Sequence, residues 1–167
     1  MRQGLISTFL LLCIINCLKA QDYKVSFPCN PETEVVKSYD KDLGIITRYV
    51  DFCLGDYPNK SFVFSKTTYT KGYINSNDYN VAVEQLVGAM NQSVEKVSGN
   101  LLSNFIEDYN GFPSVRFKIS ILDGQYIIVS RLIAIENTLY QLSVSTKSEL
   151  SFNKKASDFL ASFTRKD

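Results

Sequence analysis

Apolar and polar residues alternate along much of the chain, and the alternation predicts strands. Val115, Phe117, Ile119 and Ile121 interleave with Ser114, Arg116, Lys118 and Ser120, so one face of this segment is buried and the other wet. Asp123-Gly124 follows, the pair favoured in a tight type I′ hairpin turn. Gln125–Ile135 returns with apolar residues on both faces, the signature of a central strand covered on both sides. Glu136-Asn137-Thr138 turns again, and Leu139–Thr146 pairs back to complete a three-strand antiparallel meander. Ahead of it, Leu101–Asp108 reads as a strand and Tyr109-Asn110-Gly111 as a turn.

The first half of the chain begins the same way. Tyr23, Val25 and Phe27 alternate with Lys24 and Ser26 in a short strand that Pro28 ends, and Asn30-Pro31 turns the chain. Thr33–Tyr39 and Ile45–Cys53 form a hairpin across Asp40–Gly44. Leu54–Ser76 is interrupted by Gly55, Pro58, Asn59 and Lys71-Gly72, leaving only an irregular strand at Ser61–Thr70. Tyr57, Tyr69 and Tyr73 make this stretch a candidate partner-binding loop. The competing expectation is that the rings pack over the edge of the domain.

Two helices complete the pattern. Across Asp78–Ser98, the residues Val83, Leu86, Val87, Met90, Val94 and Val97 form one continuous stripe at helical spacing. Asn77 or Asp78 can cap its start, and Gly99-Asn100 supplies a left-handed stop. A second helix runs from Phe152 to Phe163 with Phe152, Ala156, Phe159, Leu160 and Phe163 on one side. Helices separated from runs of strands predict an α+β fold: an antiparallel β-sheet of about six to seven strands packed between or against two main helices.

The first twenty residues break the alternation. Arg2 precedes an almost wholly apolar run, Leu5–Leu18, too short to span a bilayer comfortably, and Ala20 precedes a polar Gln21-Asp22. Residues 1–20 therefore read as a cleavable signal peptide, with 21–167 as a single domain, although Leu18 is bulky for its place before the cleavage site. Cys17 could be acylated in a lipoprotein, but Asn16 stands where that motif wants Gly, Ala or Ser. Cleavage removes two cations and no acid, leaving 16 Lys+Arg against 17 Asp+Glu. Such a mixed surface offers no footprint for nucleic acid and no polybasic patch for anionic lipid. The expected location is secreted or periplasmic, without a stable membrane span.

Candidate chemistry is sparse. The chain has no histidine, which excludes Ser-His-Asp and Cys-His nucleophiles and the usual zinc and copper ligand sets. No Gly-rich phosphate loop occurs, and Asp40, Asp42 and Gly44 do not continue into calcium-loop spacing. Glu107 and Asp108, adjacent on a strand, would point to opposite faces and make a poor acid/base pair. No metal or cofactor is implied. Cys29 and Cys53 remain after cleavage and read as a structural disulfide in an exported chain, closing a loop of about 25 residues; two buried free thiols are the alternative. Asn59-Lys60-Ser61 and Asn91-Gln92-Ser93 fit the N-glycosylation pattern, the second on a helix.

Three segments carry a family resemblance. Tyr23-Lys24-Val25-Ser26-Phe27-Pro28-Cys29-Asn30-Pro31-Glu32 resembles the opening extended strand and Phe-Pro-x-x-Pro of the PsbP-like superfamily, which includes the photosystem II extrinsic protein PsbP and exported bacterial domains of unknown function. Gly111-Phe112-Pro113 before a strand is similar to its Gly-x-Pro segment. Leu139-Tyr140-Gln141-Leu142, then Ala156 and Phe159-Leu160-Ala161-Ser162-Phe163, resembles its closing strand and helix. Cys29 inside the opening segment departs from the group. The resemblance implies an antiparallel sheet between helices and no catalytic residues, and it transfers no binding residues. With the other signals it leads to an exported, non-catalytic accessory domain with a protein partner or small ligand in the cell envelope. The alternatives are a carrier of a small apolar ligand held between sheet and helices, and a carboxylate-based hydrolase.

Overall fold

The computed structural model describes residues 22–69, 73–150 and 153–166. In chain order its elements are β1 (Tyr23–Lys24), β2 (Glu32–Asp40), β3 (Gly44–Leu54), β4 (Asn59–Thr68), α1 (Tyr79–Lys96), β5 (Asn100–Tyr109), β6 (Phe112–Ile121), β7 (Tyr126–Ile135), β8 (Thr138–Lys147), α2 (Lys154–Leu160) and β9 (Thr164–Arg165). Seven strands form one sheet in the order β2-β3-β4-β8-β7-β6-β5, with every neighbouring pair antiparallel. The first and last strands, β1 and β9, pair separately. The fold is α+β.

The sheet is two meanders joined along β4 and β8. The chain runs β2-β3-β4, crosses through α1 to the far edge, and returns strand by strand from β5 to β8. The returning half is a four-strand meander, the strand at Leu101–Asp108 joining the three-strand run through the turn at Asn110-Gly111. Alternation sorts its residues cleanly. One face of the sheet gives Val115, Phe117, Ile119, Leu132, Ala134 and Leu139, which share a buried cluster with Ala82, Leu86 and Met90 of α1. The opposite face gives Phe62, Phe64, Val129, Ile133, Tyr140, Leu142 and Val144, which cluster with Ala156, Phe159 and Leu160 of α2 and with Phe163. Val25, Phe27 and Cys29 pack against this second cluster, so the segment that precedes β2 crosses the same face as α2.

Several expectations change in detail. Ser61–Thr70 is not irregular: Asn59–Thr68 is a ten-residue strand in the middle of the sheet, paired with both β3 and β8. Phe62 and Phe64 fill one face, while Ser61, Ser65 and Thr67 take the other, where hydroxyl groups disguise the alternation. Residue 70 lies outside the described residues. Asp123-Gly124 does not form a two-residue turn. Ile121 pairs with Tyr126, and the four-residue loop between them holds Leu122, Asp123 and Gly124 at positive φ. The two-residue Asn-Gly turn lies instead at Asn110-Gly111, where Tyr109 pairs with Phe112.

The helix ends also differ from the pattern. Asp78 caps α1, accepting from the backbone N–H groups of Asn80 and Val81. At the other end the left-handed residue is Ser98, at φ 48°, not Gly99. Gly99 N–H returns to Val94 O at 3.1 Å, and a Cβ on Gly99 would stand 2.3 Å from Ile119 Cγ2. Glycine is needed there for close approach to β6 rather than for its dihedral freedom. The buried stripe of α1 centres on Ala82, Leu86 and Met90, and Val97 is an exposed cap residue. α2 is shorter than the pattern predicted, starting after its cap Asn153 and ending at Leu160. Phe163 lies beyond the helix yet is buried, and Phe152 is outside the described residues. Of the segment Tyr23–Phe27 only Tyr23 and Lys24 pair as a strand, and their partners are Arg165 and Thr164.

Candidate functional site

Cys29 and Cys53 are bridged, with Cα atoms 6.1 Å apart. Cys53 sits in β3 on the α2 side of the sheet. The bridge therefore ties the segment before β2 across that face, beside the ring contact of Phe27 with Phe159, 5.0 Å between centroids.

The three candidate tyrosines do not form one surface. Tyr57 precedes β4 and is exposed, with the Lys147 ammonium 5.8 Å from its ring centroid. Tyr69 and Tyr73 follow the other end of β4, their rings 4.4 Å apart and packed against the α1 cluster. A ten-residue strand, about 33 Å long, separates the two positions. Burial, and then Tyr73, raises the Tyr69 phenol above its ordinary pKa. Of the two glycosylation patterns, Asn59 is buried and exchanges side-chain hydrogen bonds with Asn153 at 2.8 and 3.1 Å, so a glycan there would break the contact. Asn91 is exposed on α1.

Asp40 accepts from the N–H groups of Asp42 and Leu43, the work of a hairpin turn. Glu107 and Asp108 are likewise in use. Asp108 accepts from Gly111 N–H at 2.7 Å in the β5–β6 turn. Glu107 accepts from Nε and Nη2 of Arg131 at 3.2 and 3.0 Å.

Two features of the β5 margin went unread in the sequence. The first is a half-open groove of about 480 Å³ between α2 and strands β5, β6 and β7. Phe105, Val129, Ala156, Leu160 and Ala161 supply its apolar lining, and Arg116, Lys118 and Arg131 bring positive charge. Strand alternation puts those three cations on one face: Arg116 is the register partner of Arg131, and Lys118 the partner of Val129. Arg131, only 7% exposed, donates through Nη1 to Leu160 O at 2.6 Å as well as to Glu107. The Arg116 guanidinium lies over Phe105, 5.6 Å from the ring centroid. Burial, reinforced by the like charge of Arg116, lowers the Lys118 ammonium below the ordinary lysine range.

The second feature is the strand edge itself. Among the described residues, β5 closes the sheet and pairs with β6 alone. Leu101, Leu102, Phe105 and Ile106 are exposed along it, and it holds no lysine and no proline. The register slips between Leu101 and Ser103, leaving Ser103–Tyr109 as its regular part. The opposite edge, β2, interrupts Val35, Val36 and Tyr39 with Glu32, Glu34, Lys37 and Asp40. Charges of that kind discourage edge pairing, and the outer half of β5 has none until Glu107. The signal was present in the sequence as Leu101-Leu102 and Phe105-Ile106, adjacent apolar pairs that a strand with one wet face would not carry.

No protein-family model matches the chain, and no curated protein matches it. Among solved structures, cyanobacterial PsbP (CyanoP) from Synechocystis sp. PCC 6803 is similar over 87% of both chains, with a TM-score of 0.58 and 13% identity. A protein of unknown function, PA94 from Pseudomonas aeruginosa, is similar over 71% of this chain and 86% of its own, with a TM-score of 0.42 and 8% identity. At such identities the likeness to cyanobacterial PsbP concerns architecture alone, and on that ground the chain has a PsbP-like fold.

Proposed function

We propose that the protein is an exported, non-catalytic accessory domain, secreted or periplasmic, that holds a protein partner along the β5 edge. The single observation that carries this reading is the margin of β5, whose outer backbone groups pair with no other strand among the described residues, with Leu102, Phe105 and Ile106 exposed beside them. An extended segment of a partner would add there as a further strand: main-chain hydrogen bonds would give affinity, and alternate side chains would give specificity. The Cys29–Cys53 bridge supports an oxidising compartment. The signal-like segment 1–20, the absence of histidine and the PsbP-like arrangement, with helices packed against both faces of the sheet, support the same reading. Among the described residues no helix is long and apolar enough to cross a membrane. Tyr57, which lies apart from Tyr69 and Tyr73, serves as the contrasting position.

The experiment is site-directed photo-crosslinking in cells that make the protein. A crosslinking residue at position 104 is expected to capture a discrete partner that the same residue at position 57 does not. Ile106→Lys should abolish that capture while leaving the circular dichroism spectrum unchanged. Equal capture at both positions, or capture indifferent to Ile106→Lys in a folded protein, would overturn the assignment.

A further inference from the structure

The groove beside α2 and the β5 edge share a wall. Along β5 the side chains on the α2 side of the sheet are Ser103, Phe105 and Glu107, opposite Lys118, Arg116 and Ser114 of β6. Glu107 is held by Arg131 at 3.0 and 3.2 Å. Phe105 is a large ring with the Arg116 guanidinium 5.6 Å from its centroid. Ser103 stands between this ring and the register slip at Leu101, and both Ser103 and Phe105 line the groove. At Ser103 the wall between edge and groove therefore shrinks to a hydroxymethyl group.

Behind Ser103 the groove is mainly apolar, lined by Val129 from the sheet and by Ala156, Leu160 and Ala161 from α2 and its end. Arg131 is 7% exposed, and its guanidinium is already committed to Glu107 and Leu160 O. Arg116 is exposed, and long basic side chains of this kind cover apolar surface with their stems while the charged head stays in water. The volume, about 480 Å³, lies inside the range of about 300–1,000 Å³ usual for small-molecule sites, so a large side chain fits with room around it. A strand added outside β5 would run about 4.8 Å from it, and its residue directly opposite Ser103 would project on the same face. Over Ser103, unlike over Phe105, that side chain meets nothing larger than a hydroxyl on its way into the groove.

We propose that the groove is the specificity pocket of the partner edge: it takes one large apolar side chain, Phe or Leu, from an extended partner segment paired with Ser103–Tyr109. The inference rests on the reading of β5 as a docking edge, and it names the chemistry of the segment that docks. Main-chain hydrogen bonds to β5 supply affinity that any extended sequence shares, and the seated side chain supplies the choice among sequences. A small residue at that position leaves the apolar wall wet, and a polar one buries a group without a partner. A basic residue also faces the charge of Arg116.

The test is a set of short peptides of Thr and Ser, with Thr favouring the extended form, that carry Phe, Leu, Gly or Lys at the central position. Each is titrated into the isotope-labelled protein and followed by amide chemical shifts. The Phe and Leu peptides are expected to shift Ser103–Tyr109 together with Val129, Ala156 and Ala161. They should bind about tenfold or more tighter than the Gly and Lys peptides. Ser103→Phe closes the opening and should erase that preference. Ser157→Phe, at an exposed position on the groove lip, should erase it from the side of α2. Both positions lie outside the two buried clusters, so the variants should melt as the parent does. Ile106→Lys, on the opposite face of β5, should weaken all four peptides alike. Shifts along β5 with no preference among the peptides, or a preference that survives both variants, would overturn the pocket and leave the edge reading standing. Shifts in the groove without shifts along β5, or no binding by any peptide, would overturn the pocket as well, and crosslinking at position 104 then decides the edge by itself.

Discussion

The guanidinium of Arg131 lies 4.3 Å from the ring centroid of Tyr109, and both side chains end on the same short piece of main chain. Arg131 donates to Leu160 O at 2.6 Å, while the Tyr109 hydroxyl donates to Ala161 O at 2.9 Å and to Phe163 O at 3.1 Å. The Leu160 and Ala161 carbonyls belong to the end of α2, where a helix leaves acceptors unpaired and favours positive charge, and Phe163 O lies just beyond it. The pair thus fastens the end of α2 to β5 and β7.

Replacing Arg131 by Met should cost more than replacing Tyr109 by Phe. The first change leaves Glu107 without its cation and Leu160 O without its donor, and about 2–3 kcal/mol of stability should be lost. The second removes one hydroxyl that makes hydrogen bonds, worth about 1 kcal/mol. Urea unfolding of both variants and of the double variant checks the order, and the double variant should lose less than the sum because the two residues touch.

Removing the Cys29–Cys53 bridge should cost about 3–4 kcal/mol on the loop-entropy account. Denaturant midpoints of the protein with both cysteines changed to alanine, or with reductant added, measure it. A loss below about 1 kcal/mol would mean that Phe27 and Val25 hold the opening segment without the bridge.

The two sides of the pH range act through neighbouring residues. Burial first, then Asp51 and Asp22, pushes the Tyr23 phenol up to about 12, and burial with Asp22 raises Tyr140 as well. A raised folded-state value means that the neutral phenol is favoured by folding, so this stabilisation is whole below about pH 10 and is lost as pH climbs through about 12. Asp22 has the opposite sign. Burial raises it, but the hydrogen bond and charge of Lys66, 2.8 Å away, outweigh that and lower it below 3.8. Its contribution is present above about pH 4 and is lost as acid protonates it in the folded state. Unfolding curves from pH 8 to 12, with phenolate absorbance read alongside, should show cooperative alkaline unfolding that Tyr23→Phe shifts upward. Asp22→Asn should flatten the acid side by less than about 1 kcal/mol, since Asp22 is half exposed.

Ser114 Oγ is buried and has no hydrogen-bond partner among the described residues. Ser114→Ala should therefore leave stability unchanged or raise it by about 1 kcal/mol, in contrast to the loss usual at a buried, bonded hydroxyl. A thermal melt distinguishes the two outcomes.

How much of this was legible in the sequence differs by region. Strands from β6 to β8 were plain, because Val115 to Ile121 alternate and β7 is apolar on both faces. β4 was not, because Ser65 and Thr67 stand where an alternating strand would show a contrast, and Pro58 reads as a break. Pairing of β4 with β8 was beyond reach, since their residues are separated by α1 and three strands and no local turn fixes the register. The groove was unreadable for the same reason: the meeting of Arg116 with Arg131 is a matter of register, and the meeting of Arg131 with Leu160 a matter of tertiary packing. The tyrosines were singled out by composition, but distance along β4 keeps Tyr57 apart from the other two.

The pairing of β1 with β9 sets an order of events. Tyr23 lies opposite Arg165, and Lys166 N–H donates to Asp22 O at 3.0 Å. Ser26 N–H donates to Ser162 Oγ, 136 residues away. Synthesis therefore delivers the first strand long before its mate, and the backbone of β1 must wait unpaired with β9 until nearly the whole domain has been made. The domain cannot close from its leading end. A chain stopped short of Phe163 would hold a finished sheet and still lack the stitch that joins its beginning to its end.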